Sequence, residues 1–153
     1  MTFYVHLLVM LIIITPISLF WHELGHALGA RFVRASQITL TIGIGKPIFE
    51  HNYNNMTFVI RKIFLFHSLT ETQCHESLSR KDKLVITFMG PINSLVLSIL
   101  AYGLFVLTSP HPLFYIMSLF NIWVGLINLL PFKINERQSD GYTILQTIKN
   151  KYD

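Results

Sequence analysis

The sequence predicts an α-helical integral membrane protein with three transmembrane helices, a membrane-associated β-hairpin between the first two, and a short C-terminal helix. Composition is the first observation behind this fold class: 52% of the 153 residues are hydrophobic and only 13% are charged, whereas about a quarter are charged in a typical soluble domain. The second is two long segments without Asp, Glu, Lys or Arg, Met1 to Trp21 and Leu84 to Phe132. The third is residue alternation within 37–66, which is typical of strands.

The two uncharged segments supply three spans. We expect the first span at about residues 3–32, with Pro16 as a kink site. The 49 residues from Leu84 to Phe132 are more than twice the roughly 20 that cross a bilayer. They therefore form two spans, at about 84–107 and 113–132, joined by the Thr-Ser-Pro-His-Pro turn at 108–112.

Basic residues predict the orientation of these spans. Eight of the twelve Lys and Arg lie between Arg31 and Lys83 and four follow Phe132, while the turn at 108–112 has none. The positive-inside rule places both basic regions in the cytoplasm, and the amino terminus and the turn outside. We expect the bacterial cytoplasmic membrane, with the lipid bilayer as a partner. Because topology explains the pI of about 9.3, no nucleic-acid partner is expected, and the lone Cys74 fits a reducing compartment.

The cytoplasmic loop contains the predicted hairpin. Residues 37–43 and 56–64 alternate as strands do, and 51–55 is the turn candidate. A free hairpin is marginal in water, so this one is expected to rest on the membrane surface or to enter the groove between the spans. It is either a covering flap or an edge that pairs with an extended substrate, and the residues favour neither. Residues 67–83 are polar and suggest no chemistry.

A metal-binding pattern ends the first uncharged segment. His22 and His26 are four residues apart, so on a helix both imidazoles face one zinc ion, and Glu23 lies beside them as a candidate general base. Ionisable residues at the edge of an apolar span are functional candidates, whereas a helix end carrying interfacial polar residues is the weaker interpretation.

Catalytic zinc usually has three protein ligands, so one more is needed. Phe32 stands where the extended metzincin motif has its third histidine, which excludes that class. Asp140 is the best-placed acidic residue, but sequence physics alone slightly favours it as the cap of a helix over 140–151. The weaker candidates are Asp82, Glu136, His67 and His75.

These features together resemble the site-2 protease family of intramembrane zinc metalloproteases, over nearly the whole chain. The family has a HExxH helix, a membrane-associated β segment, a span with Gly-Pro and a nearby Asn, and a span that ends in NxxP before an Asp-Gly. This chain has these features in the same order: His22 to His26, Gly43 to Pro47, Gly90-Pro91-Ile92-Asn93, Asn128 to Pro131, and Asp140-Gly141. Eight residues separate Pro131 from Asp140, which is a longer link than is common in the family, and Asn93 follows Gly90 by three residues rather than four.

The resemblance implies that His22, His26 and Asp140 bind Zn²⁺, that Glu23 is the catalytic base, and that Asn93 and Asn128 orient substrate or backbone. It implies a zinc-dependent endopeptidase that cleaves within or near transmembrane segments of membrane proteins or signal-peptide remnants. The topology predicted from the basic residues puts the active site near the cytoplasmic face.

We expect residues 1–153 to form a single catalytic core without a PDZ domain. The alternative function is a non-catalytic zinc-binding membrane protein of the same fold, in a chaperone or immunity role. A small transporter or channel fits less well, because the second and third spans contain no acidic residue.

Overall fold

The computed structural model describes residues 2–74, 77–107, 111–135 and 137–149. The elements are, in chain order, α1 (Thr2–Val9), a π-helical turn (Met10–Ile14), α2 (Thr15–Phe32), β1 (Gln37–Tyr53), β2 (Met56–Gln73), α3 (Arg80–Leu107), α4 (Pro112–Leu129), β3 (Lys133–Ile134), β4 (Arg137–Gln138) and α5 (Asp140–Lys149). The protein is mostly helical and also contains small sheets, as the sequence predicts.

Three helices are long and apolar enough to cross a membrane, at Tyr4–Phe32, Arg80–Leu107 and Pro112–Leu129. Their number and order agree with the three long apolar helices that the sequence predicts, although the ends differ from the expected residues. Most of the turn at 108–112 lies outside the described residues. Of its two described members, His111 caps α4, because its Nδ1 accepts a hydrogen bond from the Leu113 amide at 3.3 Å.

The helix ends follow local chemistry. The second span begins four residues earlier than predicted, because the Ser79 hydroxyl and the Asp82 carboxylate each accept a hydrogen bond from the other residue's amide at 3.2 Å. This reciprocal pair is a capping box. The third span ends at Leu129 rather than 132, because Leu130 precedes Pro131 and is extended, with ψ 132°.

The first span is irregular just before Pro16, where the sequence predicted a kink. Residues Met10–Ile14 form a π-helical turn, and the Thr15 hydroxyl donates to the Met10 carbonyl at 2.9 Å. A proline ring crowds the carbonyl four residues before it, and a wider turn relieves that crowding.

The hairpin is longer and more bent than the alternation predicts. Strands β1 and β2 are antiparallel, and the turn is the two-residue Asn54-Asn55 rather than 51–55. Gly43 and Gly45, with φ of 90° and 92°, bend β1. Because of the bends, Leu40 pairs with both Thr70 and Phe58. The first half of β1 therefore lies between the two halves of β2.

Residues 68–73 form the end of β2 and pair with residues 37–42, so this strand extends well beyond the residues 56–64 that the alternation predicted. Their side chains are mostly polar, so the alternation of apolar residues that marks a half-buried strand is weak there. Among the described strands, none pairs with the other side of this segment.

Small residues bring α2 and α3 together. A Cβ added at Gly25 would overlap the backbone carbonyl of Met89, and one added at Gly29 would lie 3.0 Å from the Cα of Ile86. Glycines spaced by four residues allow such close helix approach. The opposite side of α2 packs on the sheet through a buried cluster that includes Ala27, Ala30, Ala35, Ile38, Leu40 and Met56.

Candidate metal centre

Helix α2 places both histidines of the HExxH pattern on one face. The Nε2 atoms of His22 and His26 are 3.2 Å apart, and His22 is 5% exposed. The two rings are nearly perpendicular, with an interplanar angle of 82°. Two lone pairs can therefore converge on one point, as the i, i+4 spacing predicts.

Asp140 reaches the same point from the start of α5. Its Oδ2 atom is 3.1 Å from the Nε2 atom of His22, and its Oδ1 atom is 3.3 Å from the Nε2 atom of His26. Burial raises the pKa of the Asp140 carboxyl, but the two imidazoles lower it by more, so the net shift is below its ordinary value. The carboxylate is thus held in its charged, ligating form.

The helix-cap interpretation of Asp140 is wrong. The residue before it, Ser139, is the cap, because its hydroxyl accepts a hydrogen bond from the Tyr142 amide at 3.1 Å. Asp140 is instead the first residue of α5. A cap residue precedes the first helical residue, so the sequence interpretation was displaced by one position. The Asp140 side chain is consequently free to face the histidines.

The second ring nitrogen of each histidine is also held. The Nδ1 of His26 lies 2.9 Å from the Ile86 carbonyl oxygen. A carbonyl only accepts, so this nitrogen carries the proton and the Nε2 lone pair of a neutral His26 is left for a metal. The Nδ1 of His22 lies 2.9 Å from the Ser94 hydroxyl, which fixes the ring orientation in the same way.

The Gly-Pro and Asn of α3 shape the space around the histidines. A Cβ added at Gly90 would overlap the His26 imidazole, so the glycine provides room for the ring. The Asn93 amide nitrogen donates to the Trp21 carbonyl, one residue before His22. Asn93 therefore contacts the backbone of the metal-binding helix, and it is not among the residues that line the site pocket.

A pocket of about 670 Å³ opens onto the three converging groups. Asn128 lines it, and its amide nitrogen donates to the Val124 carbonyl of its own helix at 2.9 Å. The site therefore brings Asn128 to the pocket and Asn93 to the helix backbone. Asn93 thus contacts backbone, and a role of Asn128 in orienting substrate stays a prediction.

The edge of the hairpin forms another pocket wall, beside Glu23. The Ser68 hydroxyl donates to the Glu23 carboxylate at 3.3 Å, and the Thr70 hydroxyl donates to the Glu23 backbone carbonyl at 3.0 Å. Both residues line the pocket. The unpaired edge of β2 and the candidate base therefore face the same space.

The weaker ligand candidates are not brought to the site, as far as they are described. Asp82 belongs to the capping box at the start of α3. Glu136, His75 and the side chain of His67 lie outside the described residues. Among the described residues, one group of three potential ligands is found, namely His22, His26 and Asp140, whose ligand atoms all lie within 4.8 Å of one another.

The geometry of this group fits zinc. Two ligands at 2.0–2.1 Å from a tetrahedral zinc ion lie about 3.3 Å from each other, and the two Nε2 atoms here are 3.2 Å apart. Asp140 presents a different oxygen to each histidine, Oδ2 at 3.1 Å from His22 and Oδ1 at 3.3 Å from His26, and with one ligand atom from each residue the three atoms lie within 4.8 Å of one another. The chemistry agrees, because the Nε2 lone pair of a neutral His26 and a carboxylate oxygen face each other, and both are donors that a zinc ion between them would accept. Two imidazoles and one carboxylate also leave a fourth position open, as catalytic sites do.

The family model for peptidase family M50 matches residues 9–111, which is two thirds of the chain. The chain belongs to peptidase family M50. This is the site-2 protease family, so the resemblance noted in the sequence is confirmed, and the family consists of membrane-embedded zinc metallopeptidases. The match includes the HExxH helix, the hairpin and Gly90-Pro91, but it ends before Asp140, whose assignment rests on geometry. No curated protein matches this M50 chain significantly in sequence.

Sequence reasoning missed several residues around the M50 site. Ser94 and the Ile86 carbonyl hold the histidines, and Ser68 and Thr70 contact Glu23. Serine and threonine are common in membrane helices and strands, and a carbonyl has no sequence signal. The four-residue spacing from Gly90 to Ser94, which puts both on one face of α3, was the one available indication.

Proposed function

We propose that this protein is a zinc-dependent intramembrane endopeptidase that hydrolyses peptide bonds in or near transmembrane segments. The observation that carries the proposal is the convergence of His22, His26 and Asp140 at spacings of 3.1 to 3.3 Å, with Glu23 on the same helix and in the same pocket. A metal site for structure alone would not require a carboxylate base beside it or a pocket open to a substrate.

Each residue has a separate role in this proposal. His22, His26 and Asp140 hold the zinc ion, which when bound supplies Lewis-acid chemistry at the scissile carbonyl. The Glu23 carboxylate takes a proton from the attacking water and delivers it to the leaving amine. Asn128 contacts the substrate at the pocket wall, and Asn93 holds the helix backbone next to His22.

The hairpin edge is proposed to hold the substrate extended. A helical substrate hides its backbone, so a protease must bind it unwound. Residues 68–73 have an unpaired side among the described strands, and addition of a peptide strand there would carry its backbone past Glu23. This favours the pairing role of the hairpin over the role of a covering flap.

Membrane insertion and orientation are part of the same proposal. Large apolar side chains are exposed along the long helices, for example Ile99 at 71% and Trp123 at 57%, which suits lipid rather than water. The distribution of basic residues supports a cytoplasmic position for residues 31–83 and the carboxy terminus, and we propose the bacterial cytoplasmic membrane as the location. The site then lies near the cytoplasmic face, where water reaches it by a short path.

The decisive experiment compares wild type with Glu23→Gln for zinc content and proteolysis. Both proteins should bind about one zinc ion per chain, since the change leaves the ligands intact. In cells expressing tagged single-span membrane proteins, wild type alone should generate new peptide amino termini in or near the spans, measured by mass spectrometry of membranes. Glu50→Gln is the matched control, because Glu50 is exposed on β1 and does not line the pocket.

Two outcomes would contradict the proposal. Identical cleavage products from wild type and Glu23→Gln would remove the carboxylate from the chemistry. Normal zinc binding with no wild-type cleavage would favour the non-catalytic zinc protein. His22→Ala and His26→Ala should each lose the zinc ion, and full zinc occupancy in either would refute the ligand set.

A further inference from the structure

The long link between Pro131 and Asp140 forms a second β wall of the site pocket. It folds as the hairpin β3–β4, in which Ile134 pairs with Arg137 and Lys133 pairs with Gln138. The base of this hairpin is closed, because the Ser139 amide donates to the Phe132 carbonyl at 3.0 Å. The Ser139 hydroxyl also donates to the Leu130 carbonyl at 2.6 Å. The hairpin is therefore anchored at the residue next to the third ligand.

Arg137 brings a positive charge to this wall. Arg137 lines the site pocket, and no other Lys or Arg among the described residues lines it. In the part of the chain that the structure describes, its guanidinium has no hydrogen bond and no carboxylate within ion-pair distance. The described acidic residues of the pocket are Glu23 and Asp140, and both have other partners. The guanidinium is thus available to a ligand.

We propose that Arg137 is a specificity-determining residue that binds a carboxylate of the substrate close to the scissile bond. A guanidinium presents paired donors that match the two oxygens of a carboxylate. A pocket of about 670 Å³ is about 9 Å wide, which an extended peptide crosses in about three residues at 3.3 Å per residue. The carboxylate is therefore within about three residues of the cleaved bond.

This inference rests on the proposed function and names the substrate class, peptides with an acidic group near the cleavage site. The acidic group is either an Asp or Glu side chain or a C-terminal carboxylate, because both offer the same chemistry. A carboxylate that approached without such a partner would meet the Glu23 carboxylate, which repels it, whereas a bound Zn²⁺ would neutralise Asp140. Arg137 offsets the repulsion by Glu23 and so converts an unfavourable charge into a preference.

The test uses the full-length zinc protein in detergent and apolar 12-residue peptides. One set carries a single Glu at each position in turn, a second set carries Gln there, and a third ends in an acid or an amide. Wild type should cleave the best Glu peptide with a kcat/KM about tenfold above its Gln counterpart, which equals about 1.4 kcal/mol. Arg137→Gln should bring this ratio close to one and leave the zinc content unchanged. Arg137→Glu should prefer Lys at the same position.

Lys133→Gln is the matched control, because Lys133 is the other cation of the described hairpin and does not line the pocket. It should keep the wild-type ratio. A ratio near one in wild type, or the same ratio in wild type and Arg137→Gln, would overturn the role of Arg137. A preference for the acid over the amide end, with no effect of internal Glu, would identify the C-terminal carboxylate as the ligand.

A binding measurement separates this inference from the proposed function. Glu23→Gln, loaded with zinc, should bind the fluorescent Glu peptide about tenfold more tightly than the Gln peptide, and a protein that also carries Arg137→Gln should not. If wild type cleaves no peptide but this difference in binding is present, the protease function fails and the Arg137 site stands. If peptides are cleaved but Glu and Gln peptides bind equally tightly, the protease function stands and the Arg137 site fails.

Discussion

Replacement of Gly90 by alanine should remove zinc through its effect on His26. The added Cβ would lie 2.9 Å from the Cδ2 atom of the imidazole and closer still to Nε2, whereas ordinary contacts begin at 3.4 Å. The ring must therefore move by at least about 0.5 Å, while zinc–ligand distances tolerate only about 0.2 Å. Lost support of a ligand costs 10- to 100-fold in affinity. Because the ligand itself is displaced, we expect at least about a 100-fold rise in the zinc Kd.

The assay is chelator competition for zinc with the purified protein in detergent. Gly103→Ala is the matched control, since Gly103 lies on the same helix and an added Cβ there meets nothing within 4 Å. Its zinc Kd should stay within about twofold of wild type. A Gly90→Ala protein with a wild-type zinc Kd would refute the reasoning.

Two further predictions concern ligand support and topology. Ser94→Ala should raise the zinc Kd about tenfold, because it removes the contact with His22. Ser98→Ala is the control and should leave the zinc Kd unchanged, because the Ser98 hydroxyl contacts Ser118 instead. Equal zinc Kd values for the two variants would contradict this prediction. In a Cys74-free protein, a cysteine placed near Arg61 should not react with an impermeant thiol reagent added to intact cells, since this loop is expected to be cytoplasmic. Rapid labelling at this position would show that the loop lies outside the cell and would contradict the predicted orientation.

Much of this fold could be predicted because its signals are local. The uncharged segments, the prolines that end helices and the four-residue spacing from His22 to His26 depend on neighbours in sequence. They gave the number of spans and the face that carries the histidines. The resemblance to the M50 family supplied Asp140, which sequence physics alone assigned slightly more readily to a cap.

The remaining features depend on tertiary contacts. Residues 68–73 are a strand because they lie beside β1 and contact Glu23, and their own alternation is weak. The ladder between β3 and β4 is only two residue pairs long, which is too short for a sequence pattern. The capping position differed by one residue, because Ser139 and Asp140 are both good caps and only the helix start distinguishes them.

Because Ser139 is the cap and Asp140 a proposed ligand, substitutions of these two adjacent residues should have opposite effects on stability and on zinc binding. Ser139→Ala removes the cap of α5 and should lower stability by about 0.5–2 kcal/mol, read as a lower Tm of the zinc-free protein. Asp140→Asn leaves that cap intact, and in the zinc-free protein it removes only the contacts of the carboxylate with His22 and His26. Its zinc Kd should nevertheless rise sharply and its proteolysis should be lost, because a neutral amide replaces the anionic ligand. If Asp140→Asn binds zinc normally and cleaves normally, the carboxylate is not a ligand, and Glu136 and His67 become the candidates to test next. The measurement therefore separates a cap from a ligand one residue apart, where sequence spacing could not.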